Sequence, residues 1–214
     1  MRWLAAAAIA AGLCALPGPA AAARGPGRVT MITDSVGGVL YWVRPALDEL
    51  SDGLDLQLET KTCRKLVAAG CWAYDESPPS ALETVQQLGH ELGAVLIVDV
   101  GYNDLAADYA DGLDQVMHAA LDAGVHRVVW VTLEEREHAW VEINAKIRAA
   151  TARWPQLVVA DWGAASAGQP WFVDDAHMSA VGGVQFARFL RPIVLEACGA
   201  ACPIAGLPRG RRPT

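Results

Sequence analysis

Apolar and polar positions along the chain alternate between two rhythms. Short apolar runs rich in β-branched residues recur at 29–33, 54–60, 94–100, 128–133 and 157–160. Runs of that length with few polar interruptions read as strands covered on both faces. Between them, residues 36–50, 79–92, 104–123, 136–154 and 179–198 carry apolar positions at helical spacing. Pro79 suits a first helical turn, and Gly124 is placed to end the third helix. Strict strand–helix alternation predicts an α/β fold, a three-layer α/β/α sandwich whose parallel sheet has about five strands.

The ends of the chain fall outside this rhythm. Met1 to Trp3 forms a short positive start, an apolar stretch follows to Leu16, and small residues run up to Ala23. That is the pattern of a secretory signal peptide over residues 1–23, too short to span a bilayer, so no membrane span is expected after its removal. The folded domain is assigned to 24–198 and a Pro/Gly/Arg-rich tail to 199–214. Export changes the reading of the cysteines. Cys63, Cys71, Cys198 and Cys202 remain after the leader, and an even number in an oxidising compartment points to disulfides. Cys63–Cys71 and Cys198–Cys202 are the natural local pairs. Their spacing does not suit zinc, and no metal is expected. A net charge of −7, spread along the chain, gives no attraction for nucleic acid.

In a parallel α/β sheet, functional groups collect beyond the carboxyl ends of the strands. Three such segments stand out: "TDSVGG" after the first run, "DVGYNDL" after the third, and "WFVDDAHMSAVGG" after the fifth. A serine at Ser35 could simply cap a helix, but a histidine and an acid elsewhere would make it a nucleophile. Ser35, the run from Gly101 to Asp104, and the run from Asp174 to His177 together resemble the SGNH (GDSL-type) hydrolases. In that family a serine follows the first strand, G-x-N-D follows the third, and D-x-x-H precedes the last helix. The resemblance implies a flavodoxin-like sheet and a cofactor-free serine esterase.

Carried onto this sequence, the resemblance gives Ser35 as nucleophile, His177 as base and Asp174 as the acid that orients it. The oxyanion hole is assigned to the Ser35 backbone N–H and the Asn103 side chain. Gly101 would admit close backbone approach, and Asp104 would cap the next helix. The family's glycine after the second strand is missing from "KTCRKLVAAGCW". A backbone N–H near Cys63 and Arg64, or Gly70 drawn in by a Cys63–Cys71 bridge, would have to stand in. Trp72 and Trp171 are candidates for the substrate wall. Glu134, Glu135, Glu137, His138 and Glu142 read as a solvated helix start. The expectation is a secreted, monomeric esterase for carboxylic esters, with O-acetyl or short acyl groups on carbohydrate or lipid as substrates. An acyltransferase with the same triad, or a non-catalytic carbohydrate or cell-wall binding module, are the alternatives.

Overall fold

A computed structural model describes residues 27–72, 75–199 and 201–202. The leader expected at 1–23 lies outside them, as does the tail from 203 onward. Five strands, β1 (Arg28–Thr33), β2 (Asp55–Thr60), β3 (Val95–Asp99), β4 (Arg127–Val131) and β5 (Leu157–Ala160), form one parallel sheet in the order β2-β1-β3-β4-β5. Successive side chains point to opposite faces of a strand. Ile32, Leu96, Val98 and Trp130 therefore pack under α3 (Ala81–Leu88), α4 (Tyr109–Asp122) and α5 (His138–Ala150). Met31, Ile97, Val129 and Val131 pack under α1 (Val39–Trp42), α2 (Arg44–Ser51), α6 (Trp162–Ser166) and α7 (Ala180–Cys198). This is the predicted three-layer sandwich. Both cysteine pairs are joined as expected, Cys63 to Cys71 and Cys198 to Cys202.

Three differences from the sequence reading have local causes. The helix expected over 36–50 is split into a 3-10 turn (Val36–Gly38), α1 and α2, with Val43 non-helical at φ −104° and ψ 86°. Pro45 explains the break, since in a continuous helix its ring would meet the carbonyl of Tyr41. The loop expected after β5 contains α6, capped by the Asp161 carboxylate accepting from the Ala164 N–H. The second helix begins at Ala81 because Ser80 and Glu83 form a reciprocal capping box ahead of it.

Strand order places the site. From β1 the chain moves to β2 on one side and then returns past β1 to β3 on the other. A crevice opens where the direction reverses, between the carboxyl ends of β1 and β3. Register aligns Thr33 with Thr60 on one neighbour and with Asp99 on the other, so three loops leave the sheet side by side.

Candidate active site

Ser35 sits in that crevice at the entrance to the 3-10 turn, with helical backbone angles (φ −63°, ψ −26°). A buried framework holds it. The Asp34 carboxylate accepts from the Val36 N–H at 2.9 Å and from the Gly101 N–H. The Thr33 hydroxyl accepts from the Gly37 N–H at 3.1 Å and donates to Asp99 at 3.0 Å. Asp34 and Asp99 are both buried. Burial pushes the Asp34 carboxyl up to about 8, with Asp99 nearby adding to the rise, and pushes Asp99 up to about 6.

His177 reaches Ser35 from the opposite side of the crevice. Its Nε2 lies 3.0 Å from Ser35 Oγ, and its Nδ1 lies 2.9 Å from Asp174 Oδ2. Asp174 is itself fixed by the turn it opens, accepting backbone N–H groups from His177 at 2.6 Å and Ala176 at 2.9 Å. The His177 backbone N–H chiefly, helped by that of Ala176, holds the Asp174 carboxyl down at about 2. An ionised Asp174 places the proton on Nδ1 and leaves the Nε2 lone pair facing the serine hydroxyl. Ser35, His177 and Asp174 thus form one continuous hydrogen-bonded chain.

Asn103 lies at the end of β3, where its Nδ2 donates to the Arg64 carbonyl at 3.2 Å and to Asp34 at 3.4 Å. It therefore ties together the loops after β1, β2 and β3. Asp104 does not cap α4, which starts five residues later behind Asp108. Its carboxylate accepts from the Leu66 N–H at 3.0 and 3.1 Å, clamping the loop after β2. Burial pushes Asp104 up to about 6.

The missing glycine has a structural counterpart. Cys63 occupies the left-handed region, φ +67°, which glycine ordinarily fills. Two things support that conformation. The bridge to Cys71 brings Gly70 against the Cys63 carbonyl, where a Cβ would have no room. Arg64, fully buried, spends its guanidinium on backbone carbonyls: Glu59 at 2.6 Å, Pro79 at 3.1 Å and Thr33 at 3.4 Å. Burial lowers its pKa to about 10. Sequence reading named Arg64 only for its backbone N–H, because nothing local marks an arginine side chain as buried.

Two hollows open at Ser35. One, of about 270 Å³, is lined by Gly38, Tyr41, Trp42, Thr60, Thr62 and the Lys61–Glu76 ion pair. The other, of about 290 Å³, is lined by His177 and by Val39, Trp42, Val43, Met178 and Ala180. A larger hollow of about 380 Å³ beside Asp104 and Asp108 includes neither Ser35 nor His177. Trp72 and Trp171, the aromatics suggested by sequence, line neither hollow at Ser35. Trp72 is exposed, and Trp171 stacks on Trp162 at 5.5 Å beneath the Asp174 turn. Trp42, 81% exposed and edge-to-face with Tyr41, lines both hollows beside Ser35 instead. In the acidic segment at the start of α5, Glu135, Glu137, His138 and Glu142 are exposed, as their charges suggest, whereas Glu134 is buried. Glu135 accepts from Arg148 at 2.9 Å and Asn144 at 3.1 Å. Among the described residues no cluster of His, Cys, Asp or Glu is placed to hold a metal ion.

No protein-family model and no curated protein matches the sequence. Solved structures do match the fold. The catalytic domain of peptidoglycan O-acetyltransferase A from Streptococcus pneumoniae aligns over 83% of this chain and 98% of its own, with a TM-score of 0.63 at 16% identity. A carbohydrate acetylesterase family member from Sinorhizobium meliloti aligns over 81% and 99%, with a TM-score of 0.61 at 15% identity. The chain shares the three-layer fold of these two solved domains. In this fold the carboxyl ends of β1 and β3 and the turn before α7 meet at one crevice, where Ser35, Asn103 and His177 lie.

Proposed function

We propose that this protein is an exported serine esterase that cleaves carboxylic esters through an acyl-enzyme on Ser35. The observation that carries the reading is the hydrogen-bonded chain from Ser35 through His177 to Asp174, at 3.0 and 2.9 Å. His177 Nε2 takes the Ser35 proton as Oγ attacks the ester carbonyl, and Asp174 stabilises the imidazolium that forms. The carbonyl oxygen becomes an oxyanion facing the Ser35 N–H, at the start of a helical turn, and the Asn103 amide, which turns one N–H to it from the 3.4 Å contact with Asp34. The Cys63 N–H, on the loop that replaces the glycine block, is the third donor in this reading. His177 then returns the proton to the departing alkoxide oxygen, and the alcohol leaves. Water, deprotonated by His177, attacks the acyl-enzyme, and Ser35 is regenerated with release of the acid.

The hollows suit a small acyl group, and the solvent-facing Trp42 offers an apolar ledge on which a sugar or aromatic alcohol can stack. O-acetyl or short-chain esters of carbohydrate are therefore the substrate class. Two structural neighbours carry names for chemistry of that kind, one an O-acetyltransferase and one a carbohydrate acetylesterase. The first of them favours a second reading, transfer of the acyl group to an alcohol instead of water. Export rests on the leader pattern and on the two disulfides.

The test is hydrolysis of 4-nitrophenyl acetate and of acetylated xylan by purified protein. Wild type is expected to turn over both, and Ser35→Ala neither. Product analysis with added alcohols separates hydrolysis from transfer.

A further inference from the structure

The loop after β4 carries a charged network that the proposed chemistry leaves unused. Buried Glu134 is fixed from two sides: its carboxylate accepts from the Ser166 hydroxyl at 2.6 Å, and its backbone N–H donates to the Tyr102 hydroxyl oxygen at 2.8 Å. Arg136 lies against it, with Nε donating to Glu134 at 3.4 Å. From there the guanidinium reaches across to the turn that carries the acid and the base. Its Nη1 donates to the Asp174 backbone carbonyl at 3.1 Å and pairs with the Asp175 carboxylate at 3.6 Å. It also lies 5.1 Å from the centre of the Phe172 ring.

The turn needs such an anchor. Internally it is closed by the antiparallel bridge between Phe172 and Met178 and by the Val173 N–H to His177 carbonyl bond at 2.8 Å. Those bonds fix its shape, and Trp171 on Trp162 fixes its base. Its tip is open to solvent, with the Asp174 and His177 side chains 55% and 46% exposed. Burial does not hold this pair against Ser35. Among the described residues, Arg136 supplies one side-chain hydrogen bond and one ion pair that reach the tip from another element, apart from the Ser35–His177 bond itself. A small displacement of a catalytic base is enough to lower a rate by orders of magnitude.

We propose that Arg136 is a positioning residue: seated on Glu134, it pins the Asp174–His177 turn to the β4–α5 loop and keeps His177 Nε2 on Ser35. Asp175, adjacent to the working acid, serves as part of that clamp. The kinetic consequence rests on the esterase reading, but the structural one does not.

The experiment therefore reads both. The ¹⁵N shift of His177 Nε2 reports its hydrogen bond with Ser35 without any substrate, Ser35→Ala gives the shift of the nitrogen without that bond, and kcat and KM are measured on 4-nitrophenyl acetate. Wild type is expected to show the Ser35-bonded Nε2. Arg136→Met keeps an unbranched stem but removes the guanidinium donors. It is expected to move the Nε2 shift toward that of Ser35→Ala and to lower kcat roughly 10- to 100-fold, with KM within about two-fold. Arg136→Lys should recover part of both, and it carries the same test if methionine destabilises the fold. An unchanged Nε2 shift and kcat in Arg136→Met, or a change confined to KM, would overturn the proposal. If wild type lacks esterase activity while the Nε2 shift still follows Arg136, the esterase reading fails and the positioning role stands.

Discussion

Adjacent aspartates with unequal roles show how residue-scale geometry decides chemistry. Asp174 faces the imidazole and accepts two backbone N–H groups, whereas Asp175 faces Arg136 and solvent. Asp174→Asn is expected to lower kcat by up to about 10⁴-fold, because an amide can present the wrong tautomer to Ser35. Asp175→Asn should cost far less, since it weakens only the 3.6 Å ion-pair part of the Arg136 clamp and leaves the bond to the Asp174 carbonyl in place. Steady-state kinetics on the two variants checks the order. Asn103→Ala should lower kcat by about 10²–10³-fold with KM little changed, as an oxyanion donor acts on charge that develops during reaction. The buried carboxyls set a different dependence. Unfolded, Asp34 and Asp99 titrate near their ordinary value of 3.8, but in the fold they are raised to about 8 and about 6. The native state thus binds more protons between those limits, and stability present at low pH is lost as pH rises through 6 and then 8. Asp104, raised to about 6, adds to the loss in the same direction. Asp174, lowered to about 2, acts oppositely and only below its ordinary range. Asp99→Asn removes one buried charge and its repulsion of Asp34. Thermal melts should show it raising Tm relative to wild type at pH 8 and not at pH 5.

At the scale of elements, the site depends on how closely α7 approaches the turn before it. Ser179 caps α7 by accepting from the Gly182 N–H, and a Cβ on Gly182 would collide with the Trp171 carbonyl. Gly182→Ala is therefore expected to displace the His177 turn, lowering both Tm and kcat, as melts and kinetics on the same preparation would show. The Cys63–Cys71 link has a similar standing. It braces the left-handed Cys63 on the oxyanion side, so Cys63→Ser/Cys71→Ser should lower kcat as well as stability, whereas Cys198→Ser/Cys202→Ser, at the far end of α7, should affect stability alone. Elements were legible in the sequence where their signal is local. The strands announce themselves as apolar runs, and the acid and base sit three residues apart in one motif. The break at Val43 was missed: Pro45 is a local signal for it, but apolar spacing on either side led to one helix over 36–50. Helix α6 was not, because five residues are too few to show a helical period and its core residue Trp162 gains meaning only against Phe186 and Trp171.

Across the whole molecule, topology does what no single motif can. Ser35, Asn103 and His177 are spread over most of the chain, and the reversal of strand order between β1 and β3 brings their loops to one crevice. Alternation of strands and helices placed those segments beyond the carboxyl ends of the strands, while the strand order that joins them is visible only in the folded sheet. What stayed hidden depends on contacts between distant segments: the burial of Arg64 and Glu134, and the replacement of Trp72 and Trp171 by Trp42 beside the nucleophile. Among the described residues no helix is long and apolar enough to cross a membrane. The most direct test of the central claim, that this fold holds an activated serine, is labelling of purified protein with a fluorophosphonate probe, which reacts with such a serine whatever the natural ester. The account predicts labelling of wild type at Ser35, none in Ser35→Ala, and a rate lowered by roughly 10³-fold or more in His177→Ala. Wild type that resists the probe, or His177→Ala labelled as fast as wild type, would contradict it.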